Sequence, residues 1–253
     1  MSASVKIISL NIERDLHYDT ALPFLRREFA DVVCLQEILE RDLPRFEEAL
    51  GMKGYYISSA YADKGRHTGA LAQEGVQTGN ALFTKLPKQQ EGVLYYYGSP
   101  DVVPKVTDPL PQGRDDHSRG VVLWARVTSG EHSFTIGTVH FTWTPEGHIV
   151  SLAQRQDIEV LLAKLKEFPD FILCGDFNAP RGLPIWEKLA ERYADNIPPE
   201  YTTSIDQKLH LKSGIMYVVD GLFSSPEYCV SDVRLVEGVS DHKAVVGIIE
   251  RVN

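Results

Sequence analysis

The sequence predicts an α/β domain in which two packed β-sheets carry helices on their outer faces. Ten apolar runs rich in Val, Ile, Phe and Tyr have the composition of strands, whereas only four segments have the apolar periodicity of helices. A doubly wound parallel sheet pairs strands and helices nearly one to one, so this excess of strands favours two sheets. The 253 residues contain no internal repeat or obvious linker and fit a single domain, residues 1–253.

Each predicted strand is a short apolar run bounded by polar or turn residues. The runs that contain Cys34 and Cys174 are apolar throughout, which is typical of buried strands. In chain order the predicted strands are Val5–Ile12, Asp31–Gln36, Tyr55–Ser59, Asn80–Thr84, Gly92–Tyr97, Val121–Val127, Ser133–Phe141, Phe171–Gly175, Val218–Ser224 and Ala244–Glu250.

The four predicted helices lie between these strands. They are Tyr18–Phe29, Asp42–Leu50, His148–Glu167 and Leu183–Tyr193. The third helix has an apolar stripe that would face a sheet. The stripe consists of Ile149, Leu152, Ile158, Leu161, Leu162 and Leu165.

Three long polar stretches predict loops: Tyr61–Thr78, Gly98–Arg119 and Asn196–Ile215. Loops of ~20 residues are uncommon in a compact domain and are often functional. These stretches are either exposed surface loops or the rim of a substrate site.

The chain is acidic, with 26 Lys and Arg against 35 Asp and Glu and a formal net charge of −9. A domain that binds nucleic acid mainly by neutralising phosphates is basic. Contact with a polyanion would therefore need a local basic patch or a bound metal ion. A phosphate substrate is compatible with this charge because a divalent cation supplies the missing positive charge.

The three cysteines predict free thiols. Cys34 and Cys174 lie in apolar runs, and no cysteines have the spacing of a metal site. The first residues lead directly into a strand and lack the charged and apolar regions of a signal peptide. No apolar run reaches the ~18 residues of a membrane span. We therefore expect a cytoplasmic protein that does not associate with membranes.

Side chains that bind cations or move protons recur where the apolar strands end. A charged group against a buried strand costs on the order of several kcal/mol unless it is paired or binds a metal. Loops at one edge of a sheet converge, so we expect these side chains to meet. Their oxygen and imidazole ligands, without any thiolate, favour Mg²⁺ or Mn²⁺ over Zn²⁺. The set is Asn11, Glu13, Glu37, His140, Asp176, Asn178, Asp220, Asp241 and His242.

Each member of this set, taken alone, has an ordinary structural explanation. A carboxylate at a strand end is more often a turn residue or a helix N-cap, as Asp176 or Asp241 could be. A single histidine such as His140 is more often a core residue with its hydrogen bonds satisfied. The metal-site hypothesis depends on the whole set occurring together.

Five short motifs stand in order along residues 9–242. They are Ser9-Leu10-Asn11-Ile12-Glu13, Cys34-Leu35-Gln36-Glu37, Gly137-Thr138-Val139-His140-Phe141, Gly175-Asp176-Phe177-Asn178 and Ser240-Asp241-His242. In these motifs the chain resembles the endonuclease/exonuclease/phosphatase superfamily, the metal-dependent phosphoesterases that include DNase-like and exonuclease III-like enzymes. The resemblance implies a four-layer α/β/β/α sandwich of two packed, mostly antiparallel mixed sheets flanked by helices, which agrees with the strand count.

The resemblance also implies a metal site. Glu37 would be the main ligand of Mg²⁺, with Asn11 close by. Asp241 would order the metal or its water molecules. Glu13 falls where some relatives place an acidic residue near a second metal position.

A catalytic set follows from the same resemblance. Asp176 would orient or deprotonate the attacking water, and Asn178 would hold that water or the phosphoryl group. His242, oriented by Asp220, would contact a phosphate oxygen. His140 would lie near the phosphate or the leaving group. A metal, an imidazolium and an amide suit the charge that builds on a phosphoryl group during in-line attack.

Two further residues are candidates beside the motifs. Arg119 lies just before Val121–Val127, where several relatives carry an Arg-Gly pair. We expect its guanidinium near the site. The alternative is a surface arginine at the start of a strand. Trp143 either stacks on a base or anchors its loop. The chain departs from many relatives at Val218 and Gly221, where they have Arg and Tyr, so substrate contacts specific to those relatives are in doubt.

The leading hypothesis is therefore a monomeric Mg²⁺-dependent phosphodiesterase that acts on nucleic acid or nucleic-acid ends, with Mn²⁺ as the alternative ion. One alternative is a hydrolase of a small phosphorylated metabolite or a lipid headgroup. The other is a binding module that kept the fold without catalysis. The presence of every motif residue weighs against this last alternative.

Overall fold

The computed structural model describes residues 3–61, 75–105, 108–212 and 214–252. These residues form twelve strands and four α-helices. The strands are β1 (Ser4–Asn11), β2 (Val32–Leu39), β3 (Lys53–Tyr61), β4 (Gln77–Thr84), β5 (Lys88–Tyr97), β6 (Gly120–Ser129), β7 (His132–His140), β8 (Ile172–Asp176), β9 (Ala194–Asp195), β10 (Asp220–Ser224), β11 (Tyr228–Val236) and β12 (Ala244–Arg251). The helices are α1 (Tyr18–Glu28), α2 (Leu43–Leu50), α3 (Leu152–Leu165) and α4 (Pro184–Ala190).

The strands form two six-stranded sheets. Their orders are β11-β12-β1-β2-β4-β3 and β5-β6-β7-β8-β10-β9. Each sheet contains one parallel pair, β1 with β2 and β7 with β8, and its other neighbours are antiparallel. Helix α1 connects the first parallel pair and α3 connects the second. The carboxyl ends of two parallel pairs, one in each sheet, are therefore available to build a site.

The sheets pack face to face, and the alternation of apolar side chains along β1 and β2 explains why. Ile7 and Cys34 belong to the core between the sheets, whereas Ile8 and Leu35 pack with helices α1 and α2 on the outer face. On the opposite side, Trp186 of α4 packs against the second sheet. Strands buried on both faces need helices outside them, which gives the four-layer α/β/β/α sandwich that the family resemblance implies.

Helix α3 begins later than predicted. Ser151 caps it by accepting a hydrogen bond from the Gln154 backbone nitrogen, and the Gln154 side chain accepts one from the Ser151 nitrogen. The prediction that Ile149 and Leu152 belong to the buried stripe is wrong, since their side chains are 52% and 62% exposed. The helix also ends at Leu165 rather than Glu167.

Strand β11 is absent from the prediction. It lies at the edge of its sheet, and its alternation is broken by an irregular register between Ser231 and Arg234. Asp232, inside this break, has a left-handed φ of 52°. Polar residues and a bulge are common on edge strands and resemble a turn in the sequence.

Most of the predicted Tyr61–Thr78 loop, residues 62–74, lies outside the described residues. Among the described residues, no helix combines the length and the apolar character needed to span a bilayer.

Candidate active site

The predicted site residues meet where the two parallel strand pairs end. Asn11 is the last residue of β1, His140 of β7 and Asp176 of β8. Asp176 is paired in register with His140 on one side and with Asp220, the first residue of β10, on the other. Sheet pairing therefore places a histidine and a second carboxylate beside Asp176 by backbone hydrogen bonds alone.

Asp176 is the centre of the site and is 1% exposed. Its Oδ1 atom accepts a hydrogen bond of 2.8 Å from the Asn178 backbone nitrogen, and its Oδ2 atom accepts one of 3.2 Å from Asn11 Nδ2. The Nε2 atoms of His140 and His242 lie 3.5 and 3.8 Å from the same Oδ2 atom. One carboxylate oxygen is thus fixed by its own loop, while the other faces two imidazoles.

The approach of β8 to β7 depends on Gly175. This residue has φ 142°, and a Cβ atom built on it would lie 1.9 Å from the Val139 carbonyl oxygen. A side chain cannot be accommodated at that distance. The glycine that precedes Asp176 therefore fixes the distance between the strands that present Asp176 and His140.

His242 and Asp220 form a buried pair. His242 Nδ1 lies 2.8 Å from Asp220 Oδ2. Burial by itself lowers the pKa of His242, but the negative charges of Asp220, Asp176 and Asp241 raise it well above its usual value. The surrounding carboxylates thus favour the protonated form of His242, in which Nδ1 donates to Asp220.

Glu37 enters the site from a β-bulge. The register of β2 against β4 shifts between Leu35 and Ile38, and Glu37 within the shift has φ 60°. Its Oε1 atom accepts a hydrogen bond of 3.1 Å from Asn11 Nδ2. Burial raises the pKa of Glu37, but the charges of His140 and Arg14 outweigh burial and hold that pKa below its usual value. A bulge is a common device for aiming a side chain away from the regular strand direction.

Backbone strain is concentrated here. Of six non-glycine residues with positive φ in the described part of the chain, four lie in these motifs or next to them. They are Glu13 (45°), Arg14 (62°), Glu37 (60°) and Asn178 (47°). Such conformations cost of the order of 1–3 kcal/mol each and persist where the surrounding structure enforces them. Such a concentration of strained residues is typical of functional sites.

Glu13 and Asp241 lie on the side of the site next to the start of α1, together with His17. His17 Nε2 is 2.8 Å from Glu13 Oε2, and this hydrogen bond raises the pKa of His17. Burial, together with the nearby charges of Glu13 and Glu37, raises the pKa of Asp241 to about 7, although His242 opposes the shift. This part of the site carries excess negative charge, which a cation would compensate.

The described residues include two groups that could hold a metal ion: Glu13 with His17 and Asp241, and Asp176 with Asp220 and His242. The second group contains the His242–Asp220 pair, whose 2.8 Å contact suits the holding or transfer of a proton. The half-buried Glu37 and the buried Asp176 accept hydrogen bonds of 3.1 and 3.2 Å from the same Asn11 Nδ2 atom. These carboxylate and amide groups suit a hard divalent cation.

Three predicted residues make hydrogen bonds that the sequence did not indicate. The Nη atoms of Arg119 donate to the carbonyl oxygens of Ser99, Pro100 and Ser58, so its guanidinium fastens a loop to β3. The amide of Asn178 donates to the Phe141 carbonyl oxygen. Asn11 donates from Nδ2 to both Glu37 and Asp176, while its Oδ1 atom accepts from the Glu13 backbone nitrogen. Asn11 is thus placed to align two carboxylates.

The loops flank this site where they are described. Asp116, in the stretch Gly98–Arg119, accepts a hydrogen bond of 3.0 Å from the Trp143 backbone nitrogen, three residues beyond His140. His210, in the stretch Asn196–Ile215, places its ring 6.5 Å from that of His242. These contacts favour the rim of a substrate site over the alternative of unrelated surface loops. Trp143 is 42% exposed.

The sequence analysis missed two histidines, His17 and His210. For His17 a signal existed, since it stands four residues after Glu13 at the start of a predicted helix, a spacing that brings side chains together. For His210 the sequence contains no such signal, because this residue lies in an irregular segment whose path is set by tertiary contacts. One such contact is the hydrogen bond from the Asp206 nitrogen to the Asp241 carbonyl oxygen.

The strand ends of this four-layer sandwich present carboxylates, imidazoles and amides to one another. The chain matches the Endonuclease/Exonuclease/phosphatase family over residues 8–242 and belongs to this family. The family consists of hydrolytic phosphoesterases that depend on a divalent metal. The resemblance inferred from the five motifs is thereby confirmed.

Solved structures give the same fold. An endonuclease/exonuclease/phosphatase family protein from Bacteroides thetaiotaomicron aligns with TM-score 0.70 and 16% identity over 100% of both chains. The mannosyl-6-phosphatase Bt3783 of B. thetaiotaomicron VPI-5482 aligns with TM-score 0.69 and 16% identity over 98% of this chain and 100% of that one. ANGEL2, a 2′,3′-cyclic phosphatase, aligns with TM-score 0.70 and 15% identity over 99% and 96%. At these identities the likeness shows the fold alone. No curated protein sequence matches the chain.

Proposed function

We propose that this protein hydrolyses phosphoester bonds by in-line attack of a water molecule that Asp176 orients. The observation that carries the proposal is the position of the Asp176 carboxylate. Asn178 and Asn11 hold it by hydrogen bonds of 2.8 and 3.2 Å, and two imidazole nitrogens lie within 3.8 Å. A carboxylate fixed in this way suits the alignment of a nucleophile and the acceptance of its proton.

Mg²⁺ is the proposed cofactor, with Mn²⁺ as the alternative. Glu37 would hold the ion, with Asn11 and Asp241 beside it. The fit rests on the donor set, since Glu37 has its pKa held below the usual value and is aimed into the site by a bulge. A divalent ion there would neutralise charge on a phosphoryl oxygen.

The imidazoles are assigned separate tasks. His242, protonated and oriented by Asp220, donates from Nε2 to a non-bridging phosphate oxygen as negative charge builds there. His140, whose Nε2 lies 3.5 Å from Asp176 and 3.9 Å from Glu37, stands beside the phosphate or the leaving group. The Asn178 Nδ2 atom donates one hydrogen bond to the Phe141 carbonyl oxygen. The rest of this side-chain amide is available to the water or the phosphoryl group.

For the substrate we propose a phosphodiester in nucleic acid or at a nucleic-acid end. A 2′,3′-cyclic phosphatase of the same fold, solved with adenosine-2′,3′-vanadate, supports a nucleotide-containing substrate. The second candidate is a small phosphorylated metabolite or lipid headgroup. It is favoured by the net charge of −9 and by the engagement of Arg119 with backbone carbonyls. A mannosyl-6-phosphatase of the same fold supports that candidate.

Hydrolysis of a substrate panel tests the proposal. The panel contains plasmid, an abasic duplex, a 5′-tyrosyl oligonucleotide, an aryl phosphodiester and a sugar or inositol phosphate, each with Mg²⁺ and with EDTA. Asp176→Asn runs beside the wild type, and Asp232→Asn on the exposed edge strand is the matched control. Metal-dependent turnover that is lost only in Asp176→Asn supports the proposal. Turnover that persists in EDTA or in Asp176→Asn contradicts it.

A further inference from the structure

We infer that His210 is a substrate-contacting residue that donates a hydrogen bond from Nε2 to the phosphate group bound beside His242. The inference deepens the proposed function and rests on it for the position of that phosphate. The mechanism proposed above uses His140 and His242 but not His210. Binding of inorganic phosphate tests the inference without turnover, so the two proposals can fail separately.

The segment that carries His210 is paired in register with the motif that carries His242. Ile205 and His242 form an isolated antiparallel bridge. Beside this bridge, the Asp206 backbone nitrogen donates a hydrogen bond of 2.8 Å to the Asp241 carbonyl oxygen. Backbone hydrogen bonds therefore set the distance between this segment and the catalytic strand ends.

The Asp206 carboxylate fixes the turn between this pairing and His210. Its Oδ1 atom accepts hydrogen bonds of 2.9 and 3.1 Å from the backbone nitrogens of Lys208 and Leu209. Its Oδ2 atom accepts one of 2.6 Å from the Gly238 nitrogen, in the loop before β12. The Asp206 carbonyl oxygen accepts a further hydrogen bond, of 3.1 Å, from the His210 nitrogen. The backbone at His210 is thus positioned before any substrate binds.

One edge of the His210 ring is bound to the backbone of Lys212. The Nδ1 atom lies 3.0 Å from both the nitrogen and the carbonyl oxygen of Lys212. A neutral ring that accepts from this nitrogen carries its proton on Nε2, and a protonated ring that donates to this oxygen also carries one there. Within the described part of the chain, Nε2 has no hydrogen-bond partner. The free edge of the ring is therefore a donor.

The separation of His210 and His242 matches the size of a phosphate group. Their ring centroids are 6.5 Å apart, too far for a direct hydrogen bond between the rings. Two nitrogens that each donate ~2.8 Å to different oxygens of one phosphate lie roughly 5–8 Å apart. The Nε2 atom of His242 is also 3.8 Å from Asp176, which orients the nucleophile in the proposed mechanism. A phosphate between the two imidazoles would therefore lie beside the proposed nucleophile.

Two amide variants separate the edges of the His210 ring. The amide of asparagine reaches the position of Nδ1, and the amide of glutamine reaches that of Nε2. We expect His210→Asn to weaken the binding of inorganic phosphate about tenfold, because a hydrogen bond to a charged oxygen is lost. His210→Gln should stay within about threefold of the wild type. A ring that only held its loop through Lys212 would give the reverse order, and that result would overturn the inference.

Nitrogen-15 NMR of the histidine rings measures the contact directly. Inorganic phosphate, added with Mg²⁺, should shift the Nε2 resonances of His210 and His242, and the Nε2 atom of His210 should carry a proton in the bound state. The resonances of His132, at the opposite end of β7 from His140, should not move. Turnover of the aryl phosphodiester adds a kinetic measurement. There His210→Asn should raise KM about tenfold and change kcat by less than about threefold.

The remaining outcomes distinguish the two proposals. The melting temperature shows whether each variant folds, and His132→Gln is the matched control. Equal phosphate affinities for the wild type and a folded His210→Asn would overturn the inference. So would a wild type that does not bind phosphate, or a bound state in which His210 Nε2 is unshifted or unprotonated. Phosphate binding that depends on His210 in a protein without phosphoesterase activity would support the inference and contradict the proposed function.

Discussion

Asp176 lies directly opposite Asp220 in the antiparallel register of β8 and β10, yet the two carboxylates have different partners. Asp220 accepts a hydrogen bond from His242, whereas Asp176 is held by two asparagines. Two neighbouring carboxylates in such different surroundings can perform different tasks. In the proposed mechanism, Asp220 orients the His242 imidazole and Asp176 orients the nucleophile.

Asp176→Asn should reduce turnover by about 10²–10⁴-fold, because the amide cannot accept the proton of the water. Its melting temperature should equal or exceed that of the wild type, since the change removes one negative charge from a buried acidic cluster. Initial rates and thermal unfolding with Asp232→Asn as control check both parts. Turnover near the wild-type rate would exclude the assigned role.

Asp220→Asn should lower kcat by about 10²-fold or more while KM changes little. The Asp220 charge raises the pKa of His242, so its removal lowers that pKa. If the imidazolium is the active form, the fall of activity at high pH should begin at a lower pH in this variant. The pH dependence of kcat measures this shift, and an unchanged alkaline limb would argue against His242 as the cationic donor.

Glu37→Gln should weaken Mg²⁺ binding by about tenfold or more, equivalent to ~1.4 kcal/mol. The amide retains an oxygen but loses the charge that holds a dication. The rise of melting temperature with Mg²⁺ concentration measures the affinity. Glu40→Gln, an exposed glutamate three residues further along the chain, is the matched control. Identical curves for Glu37→Gln and the wild type would remove Glu37 from the metal site.

Gly175→Ala should destabilise the fold by at least ~2 kcal/mol and reduce activity with it. The added methyl group meets the Val139 carbonyl oxygen at 1.9 Å, and φ 142° is unfavourable for a side chain. Gly113→Ala is the control because its φ of 77° is also positive but no atom lies within 4 Å of the new carbon. Urea unfolding measures the free energy of unfolding of both variants. Equal losses in Gly175→Ala and Gly113→Ala would show that the contact with β7 is not tight.

Part of the stability that is lost on acidification should come from Glu28. Burial raises the pKa of this carboxyl, but the hydrogen bonds from Lys6 and Arg234 outweigh it and lower the pKa below the usual ~4.3. A carboxyl whose pKa is lower in the folded state stabilises the fold fully above pH ~4.3. This stabilisation is lost as the pH falls through the pKa of the folded state. At pH 6 the free energy of unfolding of the wild type should exceed that of Glu28→Gln by about 1 kcal/mol. Urea unfolding at pH 6 and pH 3 should show this difference shrinking on acidification; a constant difference would contradict it.

Much of the fold was predictable because its strands are buried on both faces. Continuous apolar runs such as those around Cys34 and Cys174 predict strands irrespective of context. The edge strand β11 was not predictable, since solvent covers one side and a bulge interrupts its pattern. The start of α3 was misplaced because apolar residues before Ser151 continue the helical period, while the capping box there ends the helix.

The types of catalytic and ligating groups and the order of the motifs could be predicted from the sequence, because carboxylates, imidazoles and amides at the ends of apolar runs are local features. Which of these groups meet depends on tertiary contacts. Register placed His140 and Asp220 beside Asp176, and a bulge turned Glu37 into the same space. Packing also directs the Arg119 guanidinium to three backbone carbonyl oxygens, to which it donates hydrogen bonds. It places His17 next to Glu13 and Asp241. Such contacts join residues far apart in the chain, so their geometry depends on how the two sheets pack and not on any local pattern.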